Sequence, residues 1–249
     1  MPEGHTIHRL ARRHQRLLGK QEVRASSPQG RFAEGAELID GRVLEQTDAW
    51  GKHLFHRYAG GLWLHVHVGL YGKFSDGTLP AAEARGALRL RLEGEQNWLD
   101  LRGPIRCEIV TAEEKAAIVA ELGPDPLRPD ADPSRTAARL ARSRTAIGAL
   151  LMNQAVLAGV GNVYRAEILY RHRINPQLPG RDLDPVVWED IWADLVVLMK
   201  AGVRTNRIVT TRPEDENAPA APPAGPTPIT STAVRGYRAG PATPRSSSR

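Results

Sequence analysis

The feature that most constrains this chain is a switch of hydrophobic period partway along it. Leu62, Leu64, Val66 and Val68 alternate with Trp63, His65 and His67, and Leu88, Leu90 and Leu92 alternate with Arg89, Arg91 and Glu93. A period of two is the signature of strands with one apolar face. Such runs lie between residues 21 and 110, separated by glycine-containing turns at Ala59-Gly60-Gly61 and Asp76-Gly77, which predicts an antiparallel sandwich or barrel. Ahead of them, Ile7, Leu10, Ala11, Leu17 and Leu18 fall at helical spacing, and Gly19 stands where a helix would stop. One amphipathic helix therefore leads the β lobe. After Thr111 the helical period returns. Thr111 with Glu114 at the third position is a capping box for a helix over 112–122. Pro124 and Pro126 then break the chain, and further helices are expected at 133–142, 145–157, 162–171 and 185–201.

The predicted class is α+β: an N-terminal antiparallel β-sandwich with a leading helix (2–122), a linker (123–131), and an all-helical lobe (132–211). From about residue 211 the composition shifts to Pro, Ala, Gly, Thr and Ser. A segment so poor in apolar surface cannot offset the entropy of ordering, so 212–249 is expected to be a disordered tail.

Cys107 is the only cysteine, which excludes an intramolecular disulfide, fits a reducing compartment and reads as a small strand hydrophobe. Residues 3–18 mix His and Arg throughout, and no uncharged apolar run reaches about 18 residues, so a cytoplasmic chain with no membrane partner is expected. With 34 Lys and Arg against 28 Asp and Glu, the net charge of +6 suits a phosphate-rich partner without establishing one. His65 and His67 share a strand face, but two His at i, i+2 with no third ligand nearby read as a polar sheet face, and no metal is assigned to them.

Two stretches could carry chemistry. Met1-Pro2-Glu3-Gly4 opens the sequence, and removal of Met1 before the small Pro2 would leave a secondary amine. The reference pKa of an α-amine is about 7.7 to 8.0, against about 10.4 for lysine, so much of it is unprotonated near neutrality. Attack of such an amine on a sugar C1′ gives an iminium that acidifies the C2′ proton, and Glu3 beside it could supply or take protons. The same residues also read as an ordinary start. In Ala158-Gly159-Val160-Gly161-Asn162-Val163-Tyr164, two glycines before Asn162 allow a tight turn whose amides approach a phosphate at a helix N-terminus, or merely connect two helices.

Taken with Trp50-Gly51-Lys52-His53-Leu54 and Leu151-Met152-Asn153-Gln154, these motifs resemble the formamidopyrimidine-DNA glycosylase/endonuclease VIII family over roughly residues 2 to 212. The resemblance implies a helix-two-turn-helix second domain and a bifunctional glycosylase and abasic-site lyase of base excision repair. It makes Pro2 the Schiff-base nucleophile and Glu3 the acid/base at the sugar. It makes Lys52 a hairpin lysine that contacts phosphate and assists β-elimination. Asn162 would bind a phosphate flanking the lesion, with Gly161 letting the backbone approach. Enzymes that extrude a base fill the gap with side chains, and in Val68-Gly69-Leu70-Tyr71-Gly72 the wedge candidates are Leu70 and Tyr71, unless these are core residues at a strand end. Arg102 resembles a duplex-contacting arginine. The residues after it depart from the formamidopyrimidine-type pattern, which favours the endonuclease VIII branch and oxidised pyrimidines. The implied partner is double-stranded DNA carrying damaged bases or abasic sites, bound by a monomer.

Two departures stand out. Most of the family ends in a zinc finger of two Cys-x-x-Cys pairs whose hairpin carries a phosphate-contacting arginine. The stretch from Thr205 to Arg212 resembles the approach to that finger, yet no Cys or His follows His172. Structural zinc needs about four such ligands, so no cofactor is expected, and 212–249 reads as a frameshifted or truncated replacement. Thr6 stands where many relatives carry glutamate, which puts any proton relay there in doubt. The competing reading is a catalytically impaired damaged-DNA-binding protein that lacks its finger.

Overall fold

The amphipathic segment at the start forms α1 (Gly4–Leu18), burying Ile7, Ala11 and Leu18. In this computed structural model, which describes residues 2–210, α1 stops at Gly19 as expected. Gly19 stays at φ −68 and the left-handed residue is Lys20, φ +67, whose amide donates to Leu44 O at 2.7 Å.

Eight strands follow, with one short helix among them: β1 (Glu22–Ser26), α2 (Ala33–Ile39), β2 (Arg42–Trp50), β3 (His53–Tyr58), β4 (Leu62–His67), β5 (Lys73–Thr78), β6 (Leu88–Glu93), β7 (Asn97–Arg102) and β8 (Arg106–Val110). Their order is β5-β7-β6-β1-β2-β3-β4-β8, and every pairing is antiparallel. β1 meets β2 only at Glu22–Val43 and Val23–Arg42, so the ribbon folds there into two halves. Leu44, Leu54, Tyr58, Leu64 and Val66 from one half and Leu90, Leu92, Leu99 and Leu101 from the other share a single core with Ile7 and Ala11 of α1. The expected antiparallel sandwich with a leading helix is the observed architecture. Each of the buried Leu, Ile and Val side chains among these contributes about 1.5–3 kcal/mol of burial free energy.

β6 shows the simple alternation read from the sequence, whereas β4 is buried on both faces from Trp63 to Val66. Its second face is covered because Phe55, Trp63 and Val110 pack under Ile118 and Val119 of α3 (Ala112–Ala120). Farther along that face His65 is buried and His67 half-buried. His65, 1% exposed, lies between His53 (Nδ1 to Nε2, 2.8 Å) and Glu108 (2.9 Å). Cys107 packs at the edge of the sandwich core, and burial pushes its thiol up to about 12.

The capping box forms as expected: Thr111 Oγ1 accepts from Glu114 N at 3.2 Å and Glu114 Oε2 from Thr111 N at 2.7 Å. The remaining α-helices are α4 (Ser134–Leu140), α5 (Ile147–Leu150), α6 (Asn162–Arg171) and α7 (Pro185–Thr205), with a short 3-10 turn at Gly180–Asp182. α7 starts at an Asp184 cap with Pro185 in its first turn and stops at Asn206, φ +59. The helix expected over 145–157 is not there; only Ile147–Leu150 is helical. Beyond it the chain's polar groups are engaged elsewhere. Gln154 O accepts from Gly123 N (2.8 Å), Ala158 N donates to Pro124 O (3.0 Å), and the Gln154 side chain bridges Gly159 N and Val160 O, both at 2.9 Å. The apolar spacing of 151–160 came from a buried loop, not a helix. The described residues form one compact unit. The tail expectation for 212–249 lies outside them.

Candidate active site

Three glycine-bearing segments, distant in sequence, meet at the N-terminus of α1. Gly4 N donates to Gly159 O at 2.8 Å, and a Cβ on Gly4 would stand 2.8 Å from Gly159 Cα. A Cβ on Gly51 would stand 3.0 Å from Ala158 Cβ and 3.1 Å from Gly159 N. Gly51 and Gly159 both sit at positive φ, +56 and +88. The motifs carry glycine because three backbones touch where no side chain fits.

Glu3 closes this junction. Its side chain is fully buried, and its carboxylate accepts from Gly161 N (2.9 Å), Val163 N (2.8 Å) and Tyr164 N (3.4 Å). These are amides at the start of α6, where unpaired donors and the helix dipole favour an anion. A Cβ on Gly161 would lie 2.4 Å from Glu3 Cδ. The glycine read as a phosphate approach thus makes room for Glu3, which occupies its amide. Asn162, the first residue of α6, is exposed, with Oδ1 accepting from Arg165 at 2.6 Å.

Pro2 is half-buried directly ahead of Glu3. Lys52 occupies the second place of the two-residue turn between β2 and β3. Gly51 at positive φ ahead of it is the glycine-first pattern of hairpin loops. Burial lowers the Lys52 pKa from its ordinary range, and the nearby Glu3 charge partly opposes that shift. Beneath them His5 and Tyr164 pack edge to face at 5.3 Å. Burial pushes His5 down to about 4 and raises the Tyr164 hydroxyl, with Glu3 adding to the rise. Sequence reasoning missed this pair.

The other sequence candidates lie elsewhere. Leu70 and Tyr71 stand in the loop after β4, 57% and 89% exposed, so they are not core residues at a strand end. Arg102, at the end of β7, pairs with Asp100 at 3.1 Å, and Arg91 holds the same buried carboxylate with two bonds of 2.7 and 2.9 Å. Among the described residues no group of three or more His, Cys, Asp or Glu side chains could hold a metal. With one cysteine in the chain and neither Cys nor His after His172, the residues present do not fit a zinc finger.

The β-sandwich is joined through the buried Glu3 carboxylate to the helical lobe, with the Lys52 hairpin beside the junction. The chain belongs to the formamidopyrimidine-DNA glycosylase/endonuclease VIII family of DNA repair glycosylases. The formamidopyrimidine-DNA glycosylase N-terminal domain matches residues 1–107 and the H2TH domain of the same enzyme matches residues 122–213. Endonuclease 8 1 of Mycobacterium tuberculosis is 54% identical over 223 residues, 87% of this chain and 82% of that protein. Probable endonuclease 8 2 of Streptomyces coelicolor is 36% identical over 213 residues, covering 83% and 75%. The fold matches Lactococcus lactis Fpg in complex with N7-benzyl-Fapy-dG DNA with a TM-score of 0.72 at 19% identity, covering 82% of this chain and 79% of that one. No helix among the described residues is long and apolar enough to cross a membrane.

Proposed function

We propose that this chain is a bifunctional DNA glycosylase and abasic-site lyase that works through the amine of Pro2, exposed once Met1 is removed. The observation that carries this reading is the glycine junction that brings the Pro2-Glu3 terminus and the Lys52 turn together, Gly4 N donating to Gly159 O at 2.8 Å while a Cβ on Gly159 would stand 3.5 Å from the Cα atoms of both Gly4 and Gly51. The Pro2 nitrogen attacks C1′ of the damaged nucleotide, the bond from C1′ to the base breaks, and the base leaves with a proton. Loss of the Pro2 proton and breaking of the C1′–O4′ bond, with O4′ taking up a proton as the sugar ring opens, give an iminium that draws electron density from C2′. Loss of the C2′ proton expels the 3′ phosphate oxygen with the C3′–O electrons, and hydrolysis of the Schiff base then frees Pro2. Lys52 supports the departing phosphate and Glu3 orients the terminus. No step runs through a metal.

On this reading the chain acts as a cytoplasmic monomer on double-stranded DNA, on oxidised pyrimidines above all. Asn162 and Arg102 contact the backbone and Leu70 with Tyr71 fills the gap left by the extruded base. The endonuclease 8 names of its relatives and the exposure of Leu70 and Tyr71 support this. The absence of finger ligands favours a second reading, a damaged-DNA-binding protein with impaired catalysis. Borohydride trapping on an abasic-site duplex separates the two. A covalent adduct that is lost when the terminus is acylated, and reduced by Pro2→Gly, is expected. Duplex binding with no adduct would favour the second reading.

A further inference from the structure

We infer that Asp125, in the segment between the two lobes, is a positioning residue for Lys52. Its side chain is fully buried, and its oxygens accept from three separate places: Oδ2 from Gly51 N and from His8 Nε2, each at 2.7 Å, and Oδ1 from Leu127 N at 2.9 Å. A carboxylate without a proton only accepts, so His8 donates through Nε2. The first of these bonds falls on the amide immediately before Lys52.

The lysine turn is thereby held from two sides. Ala158 and Gly159 leave no room for a side chain at Gly51, where a Cβ would stand 3.0 Å from Ala158 Cβ and 3.1 Å from Gly159 N, and Asp125 fixes its amide. Neighbours of Asp125 hold the strand that leads into the turn. Trp50 Nε1 donates to Gly123 O at 3.2 Å. Arg128 donates to Asp48 (2.9 Å) and Ala49 O (3.1 Å) and lies 4.3 Å over the Trp50 ring. Burying a carboxylate is costly unless its oxygens are satisfied. Here three donors satisfy it, and one of them belongs to α1, the helix that begins next to Glu3. Asp125 therefore ties the lysine turn to the same helix that carries Pro2 and Glu3 at its start, and sets the distance between the two halves of the site. Asparagine cannot replace it, because its amide nitrogen would face an N–H in either orientation.

This inference rests on the reading that Lys52 takes part in strand cleavage. The test compares Lys52→Gln, Asp125→Asn and the double variant in single-turnover cleavage of an abasic-site duplex with enzyme in saturating excess, so that weaker binding does not enter the rate. A displacement of about 1 Å in a positioned group costs up to about 100-fold, so Asp125→Asn is expected to slow cleavage roughly 10- to 100-fold. The double variant should be no slower than Lys52→Gln alone. Multiplying losses would show that Asp125 acts through the fold at large and would overturn the inference. Lys52→Gln slow with Asp125→Asn at the wild-type rate overturns the positioning role alone; Lys52→Gln at the wild-type rate overturns the role of Lys52 with it. Should Asp125→Asn fail to fold, His8→Leu removes one of the three donors. It should then slow cleavage about three- to tenfold, again with no further loss in the Lys52→Gln background.

Discussion

Gly161→Ala offers the sharpest test of the clasp, because the structure predicts that its sign depends on a residue 158 positions away. At φ −119 alanine is sterically comfortable, and such a replacement ordinarily stabilises by about 0.4–1 kcal/mol through the unfolded chain. Here the three atoms nearest the added Cβ are Cδ, Cγ and Oε1 of Glu3, at 2.4, 2.6 and 2.7 Å. The carboxylate must leave, and its bonds to the α6 amides go with it. Hydrogen bonds to a charged group are worth about 1.5–3 kcal/mol each. The three are not independent and water recovers part of the loss, so the net cost is about 2–3 kcal/mol after the alanine gain. For a unit of this size that lowers Tm by roughly 4–12 °C. In a Glu3→Ala background the obstructing atoms are gone, and Gly161→Ala should be neutral or stabilising by up to about 1 kcal/mol. Calorimetry on the four proteins of this cycle reads the coupling directly. An equal loss in both backgrounds would refute the idea that Gly161 exists to admit Glu3.

Two further outcomes follow from burial. Leu70→Ala and Tyr71→Ala alter exposed side chains, so stability should stay within about 0.5 kcal/mol while single-turnover base excision slows at least about tenfold, extrusion itself costing a few kcal/mol; a Tm that falls with the rate would place these residues in the fold instead. The buried histidines set an acid limit. Burial pushes His56 down to about 3 and His14 well below its ordinary value, so the folded protein keeps both neutral while the unfolded chain binds protons below about 6.5. Their contribution is complete above that pH and is lost as pH falls toward the folded values, by up to about 1.4 kcal/mol per unit for each. Urea unfolding between about pH 7 and pH 5 should show this slope, and a flat profile would contradict it.

Local rules carried much of the fold. Period-two runs gave the strands, Thr111 with Glu114 gave a helix start that forms as read, and α6 occupies the residues expected for it. What escaped depends on partners far along the chain. The dry second face of β4 needs α3 above it. The missing helix after Leu150 follows from Gln154 and Ala158 bonding to the segment at 123–124. In the site, Glu3 was legible as chemistry but not as a clasp, since its amide partners follow it by more than 150 residues. Asp125 left one overlooked signal: an acid between Pro124 and Pro126, ahead of an apolar residue, has no solvent-facing helix to sit on.

The clasp also sets an order of events in synthesis. Chains are made from the N-terminus onward, so Glu3 is made well before Gly161, Val163 and Tyr164, the residues whose amides it will accept from. Until those residues arrive, the Glu3 carboxylate has no α6 amides to dock on. A nascent chain that stops within the β lobe carries Glu3 without the amides that seat it.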